Sequence, residues 1–175
     1  MTAAATLSVA QAWRYGLMGL PLAFVALPLY VLLPNHYARE FGVPLATLGA
    51  LLLATRLADA LIDPLLGRLS DRLYRRSASA LLAWAAAACV LMGAGFALLF
   101  FPPLRSGGGL LIVSALLLML TYASFSGVTL SHQAWGALIG GDALNQSRLV
   151  AWREGLGLVG VLLASVAPVL WGLEA

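Results

Sequence analysis

The sequence predicts an all-α integral membrane protein of about five transmembrane helices, with its N-terminus in the cytoplasm. Three observations carry that reading: only 10% of residues are charged against 62% hydrophobic, mean hydropathy is +0.94, and the apolar residues gather into long runs. Soluble domains carry about a quarter charged residues. A chain of 175 residues does not need so much apolar surface to fill one core, so the excess must face lipid.

The runs lie at about 13–34, 44–66, 78–101, 110–133 and 150–172 of the 1–175 chain. Each is near the ~20 residues that cross ~30 Å of hydrocarbon. The first is long, lacks an A-x-A cleavage site and is soon followed by another, so it reads as a retained helix, not a signal peptide. Breakers fill the connections: Pro34-Asn35 and Gly42-Val43-Pro44, then Pro102-Pro103 with Gly107-Gly108-Gly109, then Gly140-Gly141-Asp142. The arginines set the orientation. Loop 67–77 carries Arg68, Arg72, Arg75 and Arg76, and loop 134–149 carries Arg148, with Arg153 just beyond, whereas the alternate side has only Arg39 and Arg105. The positive-inside rule then places the N-terminus and both arginine-bearing loops in the cytoplasm, and the C-terminus outside.

Composition also excludes functions. All ten basic residues are arginines scattered through apolar helices, forming no continuous patch for nucleic acid. Cys89 is the only cysteine, which excludes an intrachain disulfide, and His36 and His132 stand apart in sequence, so no metal-ligand pattern is readable. Arg without Lys, and heavy use of Ala, Leu and Gly, suggest a GC-rich bacterial genome and hence the inner membrane.

The second run holds the most informative chemistry. Arg56, Asp59 and Asp63 fall on one helical face, with Asp63 about 10 Å nearer the cytoplasm than Arg56. A charge at mid-membrane costs at least ~2.5–3.5 kcal/mol, so these groups face a polar interior. One reading is a buried Arg–Asp pair with Asp63 snorkelling to the interface. The other is a coupling site, because one arginine cannot neutralise two carboxylates and the second calls for a cation or a proton. At the end of the fourth run, Ser131-His132-Gln133-Ala134-Trp135-Gly136 offers polar groups and an aromatic suited to a sugar face, or else an ordinary interfacial tryptophan belt. Arg153, one turn into the fifth run, either reaches a cavity or serves topology. The segment Gly67-Arg68-Leu69-Ser70-Asp71-Arg72-Leu73-Tyr74-Arg75-Arg76 reads either as a solvated basic loop or as a cytoplasmic gate whose charges contact a neighbouring helix end.

That segment resembles the G-x-x-x-D-R-x-G-R-R signature of the major facilitator superfamily, with Tyr74 in place of the second glycine. Arg56-x-x-Asp59-x-x-x-Asp63-Pro64 is similar to the helix-two motif of the glycoside–pentoside–hexuronide:cation symporter branch, the melibiose permease group. Trp135-Gly136-Ala137-Leu138 and Arg148-Leu149-x-x-x-Arg153 resemble that branch's helix-four-to-five segment, two residues shorter. The resemblance implies cation-coupled symport of a sugar or similar small solute by alternating access. It implies Asp59 and Asp63 as cation ligands, Arg56 and Ser131 as site-organising residues, Arg153 and Trp135 as substrate contacts, and Gly67, Asp71, Arg72, Arg75 and Arg76 as the gate. Where the group carries further acids on helices one and four, this chain has Ala23 and Ser131, which leaves Na⁺ or H⁺ open as the coupling ion. No cofactor and no metal beyond that ion are implied. The family has twelve helices in two halves of inverted three-helix repeats, an architecture given for this superfamily in general accounts of transporters. The chain is therefore expected to be an incomplete N-terminal part, without the sixth helix and C-terminal half: a fragment, a truncated gene product or one part of a larger assembly. The partners are then the solute, the cation, the bilayer and that second half. A lipid or other solute carrier, or a non-transporting scaffold, could share the fold. An intramembrane aspartyl enzyme does not suit the pattern, since both carboxylates share one helix, so no enzyme activity is expected.

Overall fold

The computed structural model describes residues 7–170, and no strand occurs among them. The helices are α1 (Val9–Gly16), α2 (Gly19–Leu27), a π-helical turn (Pro28–Leu32), α3 (Leu33–Phe41), α4 (Leu45–Arg76), α5 (Ala78–Phe100), α6 (Gly107–Gly140) and α7 (Ala143–Leu170). The segments from Val9 to Phe41 make one span, and α4 to α7 supply four more, so five helices are long and apolar enough to cross a bilayer. The protein is a multi-pass membrane protein of the expected all-α class.

Its helices run longer than the apolar runs suggested. α4 continues to Arg76, so the expected loop 67–77 is helix apart from Ser77. Leu69, Arg72, Leu73 and Arg75 are good helix formers, and one interior Gly costs only ~1 kcal/mol against them. The first span likewise carries Pro34 and Asn35 inside α3, and ends at Gly42 in a left-handed conformation (φ 64°) that glycine adopts without strain. The expected loop 134–149 shrinks to Gly141 and Asp142. Gly141 takes φ 65°, and Asp142 Oδ1 caps α7 by accepting from Asn145 N at 2.7 Å. Gly107–Gly109, expected in a loop, opens α6. The expected helix end at 171–172 lies outside the described residues.

Two compact units are distinguished. One comprises Leu29–Ser131, with α3, α4, α5 and most of α6. Its core includes Leu29, Tyr37, Leu81, Leu99, Leu118 and Tyr122, all nearly inaccessible. A helix end leaves its last four carbonyls without partners within the helix, and at α5 the side chains of α3 serve two of them. Tyr37 Oη donates to Leu99 O at 2.9 Å, and His36 Nε2 donates to Phe100 O at 3.2 Å. The π turn sits between Pro28 and Pro34, which remove N–H donors from the i→i−4 ladder at both ends.

The other unit contains α1, α2, the end of α6 from His132, and α7. In lipid, helices associate by close van der Waals packing over small residues. Here a methyl at Gly19 would overlap the Arg153 carbonyl, one at Gly160 the Leu20 carbonyl, and one at Gly16 the Trp152 backbone. Backbones therefore touch directly along α1, α2 and α7.

Candidate functional site

In the Leu29–Ser131 unit, helical periodicity turns one face of α4 inward. Thr55 is buried with Oγ1 near Leu51 O (3.0 Å) and Leu52 O (2.9 Å), Asp59 is 7% exposed, and Ser70 is 1% exposed. Arg56 Nη1 donates to Asp59 Oδ2 at 3.2 Å, one helical turn away. The other carboxylate oxygen, Asp59 Oδ1, accepts from Ser126 Oγ of α6 at 3.3 Å. Arg56 Cζ lies 4.2 Å from the Tyr30 ring centroid and 4.7 Å from that of Tyr122, the two rings themselves stacked at 5.7 Å. The guanidinium is thus held by a carboxylate and two aromatic faces. Asp63, one turn further along, is half-buried, and its Oδ1 is sealed from solvent without a hydrogen-bond partner.

These groups bring two acids and one guanidinium to a single polar face in the apolar part of α4. Asp59 uses Arg56 and Ser126, while Asp63 keeps an acceptor oxygen unsatisfied. Such an oxygen is costly to bury and is suited to a proton or a hard cation. Further along, Ser70 Oγ and Ser131 Oγ meet at 3.1 Å, both buried, so Ser131 joins α4 to α6. Thr129 Oγ1, in sequence between the Ser126 and Ser131 contacts, is also buried without a partner. Tyr30, Tyr122, Ser126 and Thr129 did not stand out from the sequence. A signal existed on α6, because Tyr122, Ser126 and Thr129 follow i, i+4, i+7 spacing and so share a face. No group of three or more His, Cys, Asp or Glu residues is gathered among the described residues.

The remaining candidates lie in the second unit or at the end of α4. His132 is locked to α1: its ring stacks on Tyr15 at 4.0 Å, Nε2 donates to Tyr15 O at 3.0 Å, and Tyr15 Oη donates to His132 O at 3.1 Å. Trp135 is half-buried, and next to it Gly136 makes room for the Tyr15 phenol. Arg153 is bound by its sequence neighbour, Nη2 at 2.7 Å and Nε at 3.0 Å from Glu154 Oε1, with 22% of its side chain exposed. Gly67, Asp71, Arg72, Arg75 and Arg76, expected in a loop, instead lie on α4. The four charged ones are exposed, and among the described residues none of them forms an ion pair.

A family model described as MFS/sugar transport protein matches residues 14–173. No curated protein and no solved structure gives a significant match to the chain.

Proposed function

The chain belongs to the MFS/sugar transport protein family, transporters rather than enzymes, and on that premise we propose that it serves cation-coupled symport of a sugar or similar small solute. Asp59 and Asp63 take the coupling ion, Na⁺ or H⁺, with the Ser126 hydroxyl as a further oxygen. Arg56, steadied by Tyr30 and Tyr122, keeps the carboxylates apart from lipid and from each other's full repulsion. Arg153 and Trp135, in the other unit, contact the solute. For Arg153 that role has the solute share the guanidinium with Glu154, whose carboxylate engages Nε and Nη2 of its five N–H donors.

The observation that supports this reading most is the unequal charge within the apolar part of α4: one guanidinium serves Asp59, and the buried Asp63 Oδ1 has no donor. At ~2.5–3.5 kcal/mol or more per buried charge, an uncompensated carboxylate in a membrane span favours binding of a positive ion. The test is uptake of labelled sugars by the full-length transporter that contains this chain, reconstituted in liposomes and driven by an inward Na⁺ gradient or by an inward proton gradient. Asp59→Asn and Asp63→Asn each abolish the gradient's effect while leaving the protein folded and inserted. Ion-driven uptake that survives both substitutions removes the carboxylates from the coupling mechanism.

A further inference from the structure

The outward face of α4 carries a row of leucines that the symport reading does not use, and it runs into Arg72 and Arg75 of the expected gate segment. Leu53, Leu57, Leu61 and Leu65 are 62%, 61%, 77% and 59% exposed. Arg68, Arg72 and Arg75 continue the same row and are exposed without ion-pair partners among the described residues. At 3.6 residues per turn all seven lie within about 120° of arc, opposite the buried Thr55, Asp59 and Ser70. The leucine section is about 18 Å long at 1.5 Å rise per residue, close to the ~15 Å depth of one leaflet's hydrocarbon. Its arginine section then spans about 10 Å, beginning where a headgroup layer begins. Asp71, the only acid among residues 64–77, lies at the edge of the same arc and offsets one of the four arginines there, which leaves this end of the helix net positive.

We propose that this row is a binding site for an anionic phospholipid, its acyl chain lying along Leu57, Leu61 and Leu65 and its phosphate held by Arg68, Arg72 and Arg75. Guanidinium groups suit phosphate because they donate in a planar fork, and three in one row exceed what topology alone requires. The leucines beneath them favour a lipid over a soluble phosphate: the surface is amphipathic in the order, and on the length scale, of a lipid molecule. This assignment stands independently of whether Asp59 and Asp63 bind an ion.

Native mass spectrometry of the protein in detergent, titrated with dioleoylphosphatidylglycerol and in parallel with dioleoylphosphatidylcholine, measures it. The first phosphatidylglycerol should bind at least tenfold more tightly than phosphatidylcholine. The triple substitution Arg68→Gln, Arg72→Gln, Arg75→Gln should erase that preference, each arginine contributing about fivefold. The corresponding triple change to Lys should retain most of it. Removing Arg39, Arg105 and Arg148 instead, an equal loss of charge elsewhere, should leave it intact. Equal affinity for the two lipids, or an unchanged preference in the Gln triple, overturns the proposal. So does displacement of the lipid by millimolar inorganic phosphate or glycerol phosphate, which would mark a soluble-anion site.

Discussion

Asp59 and Arg56 show how much a single membrane-embedded charge depends on its neighbours. The 3.2 Å bridge between them offsets part of the cost of placing each charge in the membrane. Removing the guanidinium leaves Asp59 with only the Ser126 hydroxyl and Asp63 with an unsatisfied buried oxygen. Arg56→Gln is therefore expected to unfold at a lower temperature in Na⁺-free buffer and to recover on addition of the coupling ion. A ligand at 100 times its Kd stabilises by about 2.7 kcal/mol, which sets the scale of the recovery. Differential scanning fluorimetry at several ion concentrations reads it; a variant indifferent to ions would mean that Arg56 is not the counter-charge of an ion site. The spacing of Arg56, Asp59 and Asp63 was legible in the sequence because it is local to one helix. Tyr30, Tyr122 and Ser126 were not, because their roles arise from packing between elements far apart in the chain.

Among the elements, α3 and α5 are joined by one of the better-defined contacts. Tyr37 is 1% exposed and its hydroxyl serves the Leu99 carbonyl, with Ser114 Oγ 3.0 Å away. Tyr37→Phe keeps the ring and strands a buried carbonyl, so it should cost about 1–3 kcal/mol, read as a fall in thermal stability in detergent. Gly160→Ala places a methyl against the Leu20 carbonyl and should cost about 1–3 kcal/mol by forcing α2 and α7 apart, whereas Gly155→Ala, where the added carbon meets nothing, should cost little. Equal stability of the two glycine variants would contradict the close approach of those backbones. Hydropathy revealed that five spans exist, since apolar length is itself the signal. It did not reveal where they stop: α4 runs past Gly67 to Arg76, because charged residues continue a helix into the aqueous layer as readily as they end one. The break between Gly16 and Gly19 did carry a signal, because Pro21 removes the N–H that would bond to the Leu17 carbonyl, but hydropathy does not register it.

For the molecule as a whole, the chain belongs to the MFS/sugar transport protein family over residues 14–173, and its orientation is read from the arginines. The arginine bias predicts that Ser77 faces the cytoplasm and Ser106 the opposite side. In a Cys89→Ala background, Ser106→Cys should react with a membrane-impermeant maleimide from outside the cell and Ser77→Cys only after permeabilisation; the reverse pattern would invert the topology. The symport account requires more than topology, because it places an exchangeable positive ion on the α4 carboxylates. Infrared difference spectroscopy sees this directly, by recording the carboxylate stretching bands of the reconstituted protein as Na⁺ is added at fixed pH and as pH is lowered without Na⁺. The account predicts a carboxylate band that changes with one of the two ions and is lost in the Asp59→Asn, Asp63→Asn double variant. A spectrum that responds to neither ion, or a response that persists in the double variant, would contradict it.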